Sequence, residues 1–289
     1  MATIRSIIAL AAFKGWKLFQ LDVNNAFLHG DLDEEVYMAA PKGIYNPSNK
    51  VCKLKKSLYG LKQASRQWFS KLSSTLISLG YQQSKNDYSL FLNKSSTDIT
   101  IIAVYVDDIL ITGSNSHEIL HVKNKLDTLF GIKDLGQLHY FLGLEVSYTP
   151  AGIVLSQKKF TTELLKDSGL SITKTAATPL PLNCKLEPTK GELLPDPSQY
   201  RTLVGKLNFL THTRPDLSFA AQTLSQFMQQ PRTSHLQALC HTLCYIQGTI
   251  GQGILLKATD KLTLKAYSDS DWASCPFSRR SVTGYVIHL

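Results

Sequence analysis

Two adjacent acidic residues, Asp107 and Asp108, interrupt two strongly apolar runs at 99–106 and 109–112. Ionised carboxylates are very costly to leave unpaired in an apolar interior, so the pair belongs at a tip or in a cleft. The flanking runs read as the strands of a β-hairpin whose two-residue tip is Asp107-Asp108. Such a pair is also an ordinary turn, because Asp tolerates left-handed backbone and bonds its own main chain. A third carboxylate, Asp22, closes the alternating run 17–23, which stops in Asn24-Asn25. Alone, it is a strand terminator. Together, a strand-end Asp and a hairpin Asp pair on one sheet could hold two divalent cations. Magnesium takes few carboxylates and fills its shell with phosphate oxygens. Two such ions stabilise the attacking and leaving oxygens of an in-line phosphoryl displacement. Positioning is then most of what the protein must add. A nucleotide polymerase and a two-metal nuclease both run on this chemistry.

The elements that must carry these groups are legible from periodicity. Residues 4–13 read as a helix closed by Lys14-Gly15. Leu61, Ala64, Trp68, Leu72, Leu76 and Leu79 recur every three or four residues as one apolar helix face, with Lys62, Arg66 and Lys71 off it. Residues 116–130 predict another helix. The stretch 178–197 is Pro-rich and aperiodic, a linker or extended arm. Helices are expected at 200–210, 216–229 and 234–247, then strands at 262–268 and 281–288. This irregular alternation predicts an α+β fold.

The chain has 289 residues, 43% hydrophobic and 18% charged, enough apolar material for one large core or two smaller ones. Its formal charge of +9, from 31 Lys and Arg against 22 Asp and Glu, suits a polyanionic partner. The five cysteines, Cys52, Cys184, Cys240, Cys244 and Cys275, are scattered and odd in number, as in a reduced intracellular protein. His235, Cys240, His241 and Cys244 invite a zinc reading, yet the two cysteines sit at helical spacing in an apolar run with no second pair. No stretch is long enough to span a bilayer, and the apolar opening lacks a cleavage site. The expectation is a cytoplasmic or nuclear protein with no membrane partner.

Three motifs carry a family resemblance. They are Leu21-Asp22-Val23-Asn24-Asn25-Ala26-Phe27-Leu28-His29-Gly30, Ser57-Leu58-Tyr59-Gly60-Leu61-Lys62-Gln63-Ala64, and Tyr105-Val106-Asp107-Asp108. In this order they resemble the reverse transcriptase of copia-type long-terminal-repeat retrotransposons. Phe141-Leu142-Gly143-Leu144-Glu145 and Thr213-Arg214-Pro215-Asp216 extend the similarity over essentially the whole chain. The resemblance implies a right-hand polymerase: a palm with partial fingers over 1–150, then thumb and connection over 151–260. It implies that Asp22 and Asp107 are the principal ligands of two magnesium ions, manganese being the alternative, with Asp108 beside them. It makes Phe27 the gate that crowds a ribose 2′-OH, and Gln63 and Tyr105 contacts of the incoming deoxynucleotide. Lys62 and Arg66 are candidate phosphate contacts, and residues 141–145 resemble the primer grip. An RNA template and a DNA primer would be the polyanionic partners. Residues 265–273 with 284–287 resemble the opening hairpin of the family's ribonuclease H domain, with Asp269 as its first, stranded metal ligand. The expectation is a polyprotein fragment cut short in the fingers and in that last domain. The alternative is an idle relic that at most binds nucleic acid.

Overall fold

Helix α1 spans Ala2–Lys14, a run rich in Ile and Ala. Gly15 ends it in a left-handed conformation (φ 66°), and Trp16 N–H turns back to the Ala11 carbonyl at 2.9 Å. Strand β1 is Leu18–Val23, and a 3-10 turn follows at Ala26–His29. Two short strands, β2 (Tyr37–Ala39) and β3 (Val51–Lys53), pair with each other. Helix α2 (Ala64–Ser78) buries Ala64, Trp68, Leu72 and Leu76, the apolar face that the spacing predicts. Strands β4 (Gln82–Gln83), β5 (Leu90–Lys94), β6 (Ile99–Tyr105) and β7 (Asp108–Gly113) come next. Helix α3 then covers Ser116–Phe130, capped by the Asn115 side chain at one end and left-handed Gly131 at the other. Strand β8 is Ile132–Gln137. This computed structural model describes residues 1–44, 50–169, 174–182, 184–259, 261–275 and 279–289.

These strands form one sheet in the order β4-β5-β6-β7-β1-β8, antiparallel throughout. Side chains alternate across a strand. Leu21 and Val23 of β1, Ile102 and Val104 of β6, and Ile109 and Ile111 of β7 therefore share one face. There they join Trp68, Leu72 and Leu76 of α2 and Val122, Leu126 and Phe130 of α3 in a single core. Asp22 and Asp108 fall between those core positions and so point to the opposite face. Burial of the odd neighbours is what aims the carboxylates.

The hairpin differs from its expected form in one respect. Tyr105 pairs with Asp108, so the two-residue tip is Val106-Asp107 and Asp108 is the first residue of β7. The reason is register: Asp108 is also held opposite Asp22 by the β1 pairing. Sliding the tip by one residue would turn Ile109 and Ile111 out of the core.

A second compact unit is His139–Ala258; the first comprises Ala2–Leu138 and Thr259–Leu289. Its strands β9 (Tyr140–Phe141), β10 (Leu144–Thr149) and β11 (Gly152–Ser156) precede helix α4 (Lys158–Asp167). Helix α5 (Ser198–Leu210), a 3-10 turn (Pro215–Leu217), α6 (Ser218–Ser225) and α7 (Thr233–Gln247) follow, and β12 (Gly253–Lys257) closes the sheet order β12-β11-β10-β9. Residues 216–229 are thus not one helix. Pro215 opens a tighter turn, and Phe227 stacks on buried His235 at 3.9 Å beyond the helix end. The Pro-rich stretch is an arm laid along α7, with Asn183 outside the described residues. Its carbonyls at Pro179, Pro188, Lys190 and Gly191 accept bonds from Thr242, Arg232, Ser234 and again Arg232 at 2.7–2.8 Å. Its prolines interrupt any backbone ladder, and side chains of α7 and of its N-cap residue Arg232 satisfy these acceptors. Strands β13 (Lys265–Asp271) and β14 (Val282–His288) form a separate two-stranded hairpin.

Candidate active site

The β6–β7 turn is strained. Val106 takes φ 58°, a left-handed conformation that a β-branched residue seldom adopts. Two bonds hold it there. The indole N–H of Trp68, which is 1% exposed, donates to the Val106 carbonyl at 2.6 Å, and the Val23 N–H donates to the Asp107 carbonyl at 3.0 Å. Trp68 is itself wedged edge-on against Phe130 at 5.1 Å. Core packing in α2 and α3 thereby reaches the one turn that carries Asp107.

Around that turn the three carboxylates are neighbours. Asp22 and Asp108 are directly opposed across β1 and β7. Gln20, two residues before Asp22 and on the same face, donates from Nε2 to Asp108 Oδ1 at 3.1 Å. The Tyr59 hydroxyl donates to Asp107 Oδ2 at 3.2 Å. Burial raises the Asp108 carboxyl above its ordinary range, the Gln20 bond opposes this, and the charges of Asp107 and Asp22 add to the rise. Hard oxygen donors that repel one another are chemically suited to a hard divalent cation. Among the described residues, however, no three His, Cys, Asp or Glu side chains are gathered as a ready metal-holding group. The donor chemistry fits magnesium; a closed protein cage is not what these residues form.

The neighbouring motif is built onto α2. Asn25 enters the 3-10 turn at φ 49°, and half-buried Phe27 follows within it. A Cβ on Gly30 would meet the Trp68 main-chain nitrogen and the Gln67 Cβ at 3.0 Å, so a side chain here would push the turn and the helix apart by a few tenths of an ångström. The Gly30 carbonyl accepts the Ser57 N–H at 3.2 Å, which brings the next motif alongside. The Phe27 and Tyr59 rings lie 4.2 Å apart.

Of the residues singled out from sequence, Asp22, Asp107 and Asp108 share one site, and Phe27 joins it through Tyr59. Tyr105 is exposed at the end of β6, paired with Asp108. Gln63 occupies the N-cap position of α2, where its side chain makes no capping bond. Asp269 is an exposed residue of β13 that accepts the Ser270 N–H at 3.0 Å. Residues 141–145 are the β9–β10 hairpin of the second unit, turning at Leu142 (φ 50°) and Gly143 (φ 83°). Sequence reasoning passed over Tyr59, Trp68 and Gln20 as site residues. Gly60 was the available signal for Tyr59, since a glycine two residues after Leu58 marks the turn that presents it.

This arrangement is matched by known proteins. Residues 1–182, which hold all three carboxylates, match the reverse transcriptase (RNA-dependent DNA polymerase) family. The chain belongs to that family. The copia-type resemblance of its motifs agrees with its relatives. The retrovirus-related Pol polyproteins from transposons RE1 and RE2 of Arabidopsis thaliana are 45% and 43% identical to it over 99% of the chain. The chain spans about a fifth (20%) of the length of each of these two polyproteins. A Ty5-1 transposon protein of Saccharomyces cerevisiae is 32% identical over 93% of the chain and 89% of its own length. No helix among the described residues is long and apolar enough to cross a membrane.

Proposed function

We propose that the chain is the RNA-directed DNA polymerase portion of a retrotransposon polyprotein, adding deoxynucleotides to a primer 3′-hydroxyl on an RNA template. The observation that carries this reading is Asp22 opposed to Asp108, with Asp107 on the strained tip beside them. Asp22 and Asp107 would hold two magnesium ions, with Asp108 in support. Bound there with the nucleotide's phosphates, such ions would stabilise the attacking and leaving oxygens of the displacement. The chain's own contribution is placement. The Trp68 and Val23 bonds fix the tip, and Gln20 orients the Asp108 carboxylate. Phe27 would crowd a 2′-hydroxyl, and Tyr105 and Gln63 would meet the nucleotide. In this reading residues 1–150 are palm with part of the fingers, and 151–260 are thumb and connection, with the β9–β10 turn as primer grip. Residues 261–289 would open a ribonuclease H-like domain, Asp269 being its first ligand.

Primer extension on poly-rA/oligo-dT with magnesium tests the proposal. Extension that Asp107→Asn abolishes supports it, and duplex binding without any extension refutes it. That second outcome is the reading of an idle relic that at most binds nucleic acid.

A further inference from the structure

Tyr59 stands out as a large aromatic that is 62% exposed and yet held at both ends. Its position follows from a turn. Leu61 N–H bonds the Leu58 carbonyl at 3.3 Å, and Gly60 between them has φ 95°. That is the form of a β-turn with a left-handed third residue, for which glycine is the natural choice, and it displays the second residue outward. Tyr59 is that second residue. Its ring lies 4.2 Å from Phe27, tilted by 45°, and its hydroxyl donates to Asp107 Oδ2 at 3.2 Å. It therefore connects the two groups that, in the reading above, discriminate the sugar and hold the cation.

We propose that Tyr59 is a sugar-sensing residue of the nucleotide site, whose hydroxyl holds Asp107 until a divalent cation claims that carboxylate and then serves the nucleotide's sugar beside Phe27. The inference rests on the polymerase reading of Asp107 and Phe27. One carboxylate oxygen cannot give its full charge both to a phenol donor and to a cation, so the two compete for Oδ2. A tyrosine hydroxyl is protonated at neutral pH and so donates this bond to the carboxylate. Once released, the hydroxyl is a hydrogen-bonding group facing an aromatic wall. A sugar edge, apolar on its faces and hydroxylated on its rim, matches that combination.

The test uses the 289-residue chain without nucleic acid. Mn2+ binding is read by electron paramagnetic resonance in wild type, Tyr59→Phe and Asp107→Asn. Removing the competing hydroxyl should tighten Mn2+ by about 3- to 10-fold, the worth of one hydrogen bond to a charged group partly shared with water. Asp107→Asn should weaken it. Unchanged or weaker binding in Tyr59→Phe overturns the competition. Next, dATP and ATP affinities are compared in Ca2+, which prevents turnover. Tyr59→Ala, which removes both ring and hydroxyl, should narrow the preference for dATP several-fold. Equal preference in wild type and Tyr59→Ala overturns the sugar role. Phe27→Val separates the two ideas: if it leaves the preference intact while Tyr59→Ala removes it, the gate reading of Phe27 fails and that of Tyr59 stands.

Discussion

Replacing Trp68 by Phe should loosen the Val106-Asp107 tip without unfolding the sheet. The indole N–H is the group lost; the ring that packs on Phe130 is largely kept. The Val106 carbonyl belongs to a residue 39% exposed, so water can replace the lost donor and the net cost is about 1 kcal/mol. A left-handed conformation costs a non-glycine residue roughly 1–2 kcal/mol. Bond and strain are thus of one size, and losing the first lets the second relax. The readout is the Val23 amide, whose partner is the Asp107 carbonyl at 3.0 Å. About 1 kcal/mol should speed its hydrogen exchange roughly 5-fold. The Trp16 amide, bound to Ala11 at the end of α1, serves as control and should not change. Adding Val106→Gly, which removes the strain, should restore most of the Val23 protection in the Trp68→Phe background. Equal acceleration of both amides would mean simple global destabilisation. Failure of the glycine to rescue would refute the claim that the indole bond opposes strain at Val106.

Other outcomes follow from the same contacts. Gly143→Ala places a Cβ 2.7 Å from Phe209 Cζ at a residue with φ 83°, so the His139–Ala258 unit should lose about 2–3 kcal/mol in urea denaturation, with partial rescue by Phe209→Leu. Buried His235 accepts from the Arg232 N–H and bonds the Glu187 carbonyl, and burial lowers its ring below the usual histidine value. Its folded form resists a proton that the unfolded chain accepts, so its contribution is present above about pH 6.5 and is lost as pH falls through the lowered folded value. Urea midpoints measured across that range should fall more steeply in wild type than in His235→Asn. Asp108 has the opposite sign: its raised carboxyl contributes stability at low pH that is lost as pH rises through the folded value. Carbon-detected titration should find Asp108 lower in Asp22→Asn, and that variant should gain up to about 0.5 kcal/mol at neutral pH after solvent screening. An unchanged Asp108 titration would mean that the two carboxylates do not sense one another.

What the sequence determined by itself was local or borne by motifs. The ordered motifs placed the chain in its family. The helix at 116–130 was legible to the residue, because Asn115 and Gly131 cap it through their own local chemistry. The apolar spacing from Leu61 to Leu79 located α2, and the carboxylates were recognisable as groups that a core could not accept. The tertiary structure decided what depends on partners far along the chain. The tip of the β6–β7 turn moved by one residue because β1, some eighty residues earlier, sets the register of Asp108. Trp68 read as a core residue, which it is, but its N–H serves a turn 38 positions away. Tyr59 meets Asp107 across 48 positions, and no period in either segment encodes that meeting. The Pro-rich arm was visible as aperiodic, while its docking on α7 needed side chains more than forty positions distant. Periodicity reports which face of an element is buried. Which residues meet there is settled only when the faces close on one another.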